Sequence, residues 1–412
     1  MAIRLEKIAQ SYKILHHLAM NGKKPRIYLD YASAPPVCDA ALAAMREEEG
    51  RVGNPGALHA EGVAAKQSLE RSREQVARFL EVKPREIIFT PGLTASNALA
   101  IVGRARWMQE AGTLRGSHWI VSAIEHSSVL ACFAEVRRMG ADVSEVMPDA
   151  RGIVTPDAVR ALVRPETVFV SIGWANGEIG IIQPLSDIAR VLRAGEQDAG
   201  RPEHSIIFHA DAGQAPVYLS TLAHSLGVDL LSLGANKLYG PHGIGALYVR
   251  GTLELSPLLF GGGQERGMWA GTESVALAAG FAAAYSDLVR VRKDESARIR
   301  ELRDAFAQEL LEKVPGLVVN GDPRHSLPHL LDVSIPDVSS EYLVLALDHA
   351  GIAVSTKSAC REGETASHVV EALGQEAWRA RHTIRFSLGC HTTKADLMKA
   401  AETVLALVLK LK

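Results

Sequence analysis

Between about residues 62 and 251 the chain alternates two patterns. Nearly continuous apolar runs occur at Glu86–Phe89, Trp119–Ala123, Thr167–Ile172, Ile206–Ala210 and Val228–Leu233. Most are separated by stretches with apolar residues every three or four positions. Gly62–Leu80 sets Leu69, Val76, Phe79 and Leu80 at helical spacing among charges, and Ser128–Arg138 and Leu185–Ala194 also read as helices. Runs without polar alternation suit strands buried on both faces. Alternating with helices, they predict an α/β fold with a mainly parallel, helix-covered sheet. Gly243–Val249 reads as a further strand, placed as an antiparallel edge.

The character changes after about Arg290. A charged helix over Val291–Val314 leads to short strands at Leu317–Val319, His329–Ser334 and Ile384–Ser387, with helices at Ser340–His349 and Lys394–Leu411. This proportion predicts a smaller, separate α+β domain. Ser274–Ser286 is Ala-rich and too short to span a bilayer, so it reads as a packed helix.

Composition narrows the function classes. At 412 residues, 47% hydrophobic and 22% charged, the chain fits a globular protein of one large and one smaller domain. A formal net charge of −2 gives no reason to expect nucleic acid or an anionic membrane as partner. Charges at Arg4, Glu6, Lys7 and Lys13 leave the N-terminus without a signal-peptide core. Four cysteines, Cys38, Cys132, Cys360 and Cys390, lack metal-ligand spacing and do not form a disulfide framework, which favours a reducing cytoplasm.

Ligands of open α/β sheets gather at the carboxyl ends of the strands. Five such exits here carry polar residues: Thr90 to Asn97, Glu125-His126, Asn176-Gly177-Glu178, Asp211 to Gln214, and Asn236-Lys237. Gly92-Leu93-Thr94 at a helix start is either an ordinary cap or an anion site suited to phosphate. Asp211 is a cap, a metal ligand or the partner of a protonated ring nitrogen. His126 is a core histidine or a stacking proton carrier. Lys237, between a strand-like run and the breaker Tyr239-Gly240-Pro241, is a solvated loop lysine or a desolvated nucleophile. A lysine for an aldehyde, an aspartate for a pyridinium nitrogen and a phosphate cup together meet the needs of pyridoxal phosphate.

From Tyr28-Leu29-Asp30-Tyr31 to the C-terminal helix the chain resembles the cysteine desulfurases. These belong to the class V aminotransferase branch of the fold-type I pyridoxal-phosphate enzymes. The matching stretches, in order, include GNPGALHAEG, REIIFTPGLTASNALAI, IEHSSVL, NGEIGIIQPL, HADAGQ, NKLYGPHGIGALYVRG, GGGQERGMWAGT, STKSAC and TIRFSLG. The resemblance implies a large domain over 38–290 with a mainly parallel seven-stranded sheet. It also implies an N-terminal segment, 1–37, packing with a small C-terminal domain, 291–412, that carries the Cys360 loop.

The resemblance also implies roles. Lys237 is the lysine that joins the cofactor, His126 stacks on its ring and serves in proton transfer, Asp211 partners the pyridinium, and Gln214 lies near the phenolic oxygen. Thr94 belongs to the phosphate cup, Asn236 stands at a cofactor-binding position, and Thr272 reaches the cofactor of a second copy in a homodimer. Arg385 clamps the substrate carboxylate. Cys360, on a polar stretch read as a flexible loop and flanked by Lys357 and Arg361, takes the sulfur; nearby cations favour thiolate. The implied reaction converts L-cysteine to L-alanine, leaving a persulfide on Cys360 for an acceptor protein such as an iron–sulfur scaffold or a carrier.

Several positions depart from the family pattern: Asn236 for a histidine, Gly234 for a serine, Gly177 for an asparagine, Ala95 for a glutamate, Trp269 for an arginine, and Ser33-Ala34-Pro35 for Ala-Thr-Thr. They mark a divergent member. Selenocysteine lyase, another enzyme on the same scaffold such as an epimerase or aminotransferase, and a non-catalytic partner protein remain the alternative readings.

Overall fold

The computed structural model describes residues 26–251, 253–356 and 366–411. The strands are β1 (Ile27–Tyr28), β2 (Ile87–Thr90), β3 (His118–Ser122), β4 (Asp142–Val146), β5 (Thr167–Ser171), β6 (Ile207–Asp211), β7 (Leu230–Gly234), β8 (Gly245–Val249), β9 (Val318–Val319), β10 (Leu330–Ser334), β11 (Ile352–Ala353) and β12 (Thr383–Ser387). Seven of them form one sheet in the order β2-β8-β7-β6-β5-β3-β4. The pairs from β7 through β4 are parallel.

Every residue of β3, β6, β7 and β8 is buried, which is why these strands read as unbroken apolar runs. Alternate side chains go to opposite faces. Trp119, Phe169, Ile207, Leu230 and Leu247 join one core, where Trp119 stacks on Phe169 with centroids 4.4 Å apart. Their neighbours Ile120, Val170, Phe208, Leu231 and Tyr248 join the other. That second core continues past Phe281, Phe306 and Leu310 to Leu331, Val333, Ile384 and Phe386 of the smaller sheet. The smaller sheet, β12-β10-β9, is antiparallel, and β1 pairs with β11 nearby.

Two expectations need correction, and one strand was not expected. The antiparallel strand β8 is not an edge: β2 lies outside it, antiparallel to it and so aligned with the parallel strands. The actual edge on the far side, β4, gave no apolar run because exposed Asp142 and Glu145 and half-buried Ser144 interrupt its two buried valines. The packed helix and the charged helix placed on either side of Arg290 are one continuous helix, Val275–Lys313, of 39 residues. Its first part packs Phe281 and Tyr285 into the core, and its later part exposes charge. Among the described residues no helix is long and apolar enough to cross a membrane.

Candidate active site

All six strands that run in the common direction end on one rim of the large sheet, and five of their exits meet at a cavity of about 650 Å3. Its walls include Thr94, Glu125, His126, Asn176, Gly177, Glu178, Asp211, Gln214, Asn236, Lys237 and Arg385.

Lys237 closes a single turn, Ala235–Lys237, that follows β7. Its Nζ donates to the carbonyls of Ala32 and Ser33, both at 2.8 Å. Gln214 donates from Nε2 to the same Ala32 carbonyl at 2.8 Å. The turn after β1 therefore meets the lysine from 205 residues away in sequence. Arg385, buried on β12, donates from Nη1 to Gly177 O at 2.9 Å and from Nη2 to Asp30 Oδ1 at 2.9 Å and Ser33 Oγ at 2.7 Å.

Asp211 is the last residue of β6 and only 8% exposed. Its Oδ1 accepts from Gly213 N at 2.8 Å and its Oδ2 from Asn97 Nδ2 at 2.7 Å. The Asn97 amide also donates to Ser128 Oγ at 3.1 Å. Ser128 Oγ lies 2.8 Å from His126 Nδ1, which also accepts from Ser128 N at 3.1 Å. Nδ1 is thereby an acceptor, so the neutral imidazole carries its proton on Nε2. One hydrogen-bonded chain, His126–Ser128–Asn97–Asp211, joins two residues on different strand exits.

Glu125 lies beside His126 with its carboxyl fully buried. Burial pushes its pKa up to about 8, opposed by the Gly173 N–H it accepts and reinforced by the Asp211 charge. At neutral pH it is mostly a neutral acid.

The helix Leu93–Glu110 begins at Gly92, whose φ of 142° favours glycine and which supplies no side-chain cap. A Cβ there would meet nothing within 4 Å. The first-turn N–H groups thus face open space beside Thr94, and the helix dipole adds positive potential. Gly234, where the resemblance expects a serine, has a steric reason: a Cβ would stand 2.9 Å from Leu93 Cβ. Gly177 has no such reason, since a Cβ would make ordinary contact with Gln214 at 3.5 Å.

These residues fit pyridoxal phosphate. The amine of Lys237 suits its aldehyde, and an oriented buried carboxylate suits its ring nitrogen. A helix start that opens on empty space suits its phosphate, and the cavity volume is that of a cofactor site. Beside Asp211, Asn97 Oδ1 is also buried with no hydrogen-bond partner among the described residues.

One expected residue stands apart. Thr272 is exposed and does not line this cavity. Cys360, with Lys357 and Arg361, lies outside the described residues. The chain on both sides is fastened to the site. Ser355 pairs with the backbone of Arg385, Ser367 donates to Glu178 Oε1, and His368 Nε2 lies 3.1 Å from Glu125 O. Asp30, Ser33, Asn97, Glu125 and Ser128 also carry the site, with no role assigned to them from sequence: Asn97 and Glu125 stood out only as polar residues at strand exits, Ser33 only as a departure from the family pattern, and Asp30 and Ser128 only within matching stretches.

The class-V aminotransferase family model matches residues 27–399. A cysteine desulfurase IscS of Dictyoglomus turgidum is 36% identical over 391 residues, covering 94% of this chain and 96% of that protein. A cysteine desulfurase IscS of Stutzerimonas stutzeri is 37% identical, covering 94% and 93%. Among solved structures, a NifS-like protein matches with a TM-score of 0.84 at 31% identity, over 93% of this chain and 100% of that one. A structure described as SspA in complex with cysteine matches with a TM-score of 0.75 at 33% identity, over 88% and 98%. With its fold and nearly its full length in common with these proteins, the chain belongs to the cysteine desulfurase family of class-V aminotransferases, which depend on pyridoxal phosphate.

Proposed function

We propose that the protein converts L-cysteine to L-alanine and passes the sulfur to Cys360 as a persulfide, for delivery to an acceptor protein. The observation that carries this reading is the convergence of Lys237, Asp211, His126, Gln214 and Arg385 on one cavity shaped for the cofactor. The cysteine in the SspA structure supports the choice of substrate.

Bound pyridoxal phosphate supplies an electron sink for the substrate carbon. Asp211, fixed by Asn97 and Gly213, holds the proton on the ring nitrogen. The Leu93–Ala95 N–H groups and Thr94 would hold the phosphate, Asn236 and Gln214 would hold the ring together with His126, and the Nε2–H of His126 would serve in proton transfer. Arg385 orients the substrate carboxylate through charge-assisted hydrogen bonds. Lys237 would hold the aldehyde end of the cofactor and, as the free amine, would take the substrate's Cα proton through Nζ.

The Cys360 thiolate then attacks the substrate sulfur. The S–S bond forms as the Cβ–S bond breaks, and the carbon fragment keeps the bonding pair. L-Cysteine and one protein thiol become L-alanine and one persulfide, with no external oxidant or reductant. Thr272, away from its own cavity, supports a homodimer in which it reaches the second copy's phosphate. A chemistry built on a reduced thiol fits the cytoplasm.

The test is an assay of alanine and sulfide from L-cysteine in the presence of a reductant. Protein loaded with pyridoxal phosphate should form both, and a Cys360→Ser variant should form neither. Turnover of L-selenocysteine but not L-cysteine would replace this reading with selenocysteine lyase.

A further inference from the structure

Arg385 offers five N–H hydrogens, and their present use is specific. Nη1 donates to Gly177 O, and Nη2 donates to both Asp30 Oδ1 and Ser33 Oγ. Nε is buried with no hydrogen-bond partner among the described residues. A carboxylate is received bidentately along an edge of the guanidinium, either Nη1 with Nη2 or Nε with Nη2. Both edges need a hydrogen from Nη2. That shared corner is full.

Its two occupants differ in kind. Asp30 carries charge against the guanidinium, so an anionic ligand cannot replace it without losing an ion pair. Ser33 is neutral, and its hydroxyl is also satisfied by donating to Asp30 Oδ1 at 2.9 Å. It is therefore the partner that a substrate carboxylate displaces. Alanine at this position would leave no hydroxyl to place there. The carbonyl of Ser33 meets Lys237, and only its side chain reaches Arg385.

We propose that Ser33 is a specificity-determining residue whose hydroxyl occupies the guanidinium hydrogen required by a bidentate α-carboxylate, and so weakens the protein's grip on small amino acids. The inference rests on the reading of Arg385 as the carboxylate clamp. It predicts a higher working range of substrate concentration than the same site would have with alanine at this position. The effect is confined to ligands that carry a carboxylate.

The experiment titrates the cofactor-loaded protein with L-alanine and with ethylamine, the same amine without the carboxylate, following the visible absorption of the cofactor. Ser33→Ala should lower the Kd for L-alanine about three- to tenfold, the worth of one net hydrogen bond, and leave that for ethylamine unchanged. Ser33→Thr, which keeps the hydroxyl, should bind as the unmodified protein does. An unchanged or weakened L-alanine affinity in Ser33→Ala, or an equal gain for ethylamine, overturns the proposal. Arg385→Lys separates the two layers. If it fails to weaken L-alanine relative to ethylamine, the clamp itself is misassigned and the Ser33 inference falls with it. If it does weaken L-alanine while Ser33→Ala has no effect, only the inference falls.

Discussion

Ser355 and Arg385 exchange both backbone hydrogen bonds, Ser355 N to Arg385 O at 3.2 Å and Arg385 N to Ser355 O at 2.7 Å. The strand that carries the guanidinium and the chain that leads toward Cys360 are thus paired at the cavity wall. Cys360→Ser should retain the visible absorption of bound cofactor and lose the protein-bound persulfide after incubation with L-cysteine. A persulfide found at Cys38, Cys132 or Cys390 in that variant would assign the sulfur acceptor elsewhere.

Asn97 is the junction between Asp211 and Ser128, and through Ser128 to His126. Its amide orients Asp211 with a hydrogen bond to a charged acceptor, worth about 1.5–3 kcal/mol. Asn97→Ala should weaken cofactor binding about ten- to a hundredfold by that energy, read as the pyridoxal phosphate concentration needed to develop visible absorption. Asn97→Asp should be worse, because it sets a second carboxylate against Asp211. A fold defect would lower the unfolding midpoint of the cofactor-free protein as well, and this prediction expects that midpoint to move little.

Much of this fold was legible because burial on both faces leaves no polar alternation. The strands over Thr167–Ser171 and Ile207–Asp211 stood out for that reason. Asp142–Val146 escaped because an edge strand half open to solvent keeps Asp142 and Glu145 outward and looks like a loop. The helix Val275–Lys313 looked like two because its surroundings change from core to solvent while its backbone does not. The site divides the same way. Polar residues at strand exits announced Asp211, His126 and Lys237, since the exits sit on one rim. The contacts of Asp30 and Ser33 with Arg385 join positions 355 and 352 residues apart, and no local pattern carries that information.

Arg73 and Glu265 form a buried bidentate ion pair at 2.6 and 2.7 Å, and Glu265 also accepts from Phe89 N at 2.8 Å. Glu265 and Arg266 both hold left-handed backbone, at φ 47° and 57°, in the segment that leads to Thr272. Strain of this kind persists where surrounding contacts over-determine it. Glu265→Ala leaves the Arg73 charge buried and should cost about 3–5 kcal/mol in urea unfolding. Arg73→Met with Glu265→Leu removes both charges and should be markedly less destabilising than the single change. Equal losses would mean that the strained turn, not the stranded charge, sets the cost.

Glu125 gives the stability a pH dependence of known sign. Its folded pKa of about 8 lies above the ordinary carboxyl value of 4.5. Below 4.5 both states bind the proton and its contribution is complete. As pH rises toward 8 the unfolded chain ionises first, and the contribution is lost. His209 and His329, whose pKa values burial lowers to about 3, act in the other direction below pH 6.5, where the unfolded chain takes up protons that the fold refuses. Comparing the protein with Glu125→Gln cancels both histidines, because they are present in each. Glutamine keeps the acceptor for Gly173 N–H but cannot ionise. Unfolding midpoints in urea should therefore show the variant gaining on the unmodified protein from pH 5 to pH 8, by at least about 1 kcal/mol. Parallel curves across that range would mean that Glu125 ionises freely within the fold, and that its carboxyl is not the neutral acid its burial implies.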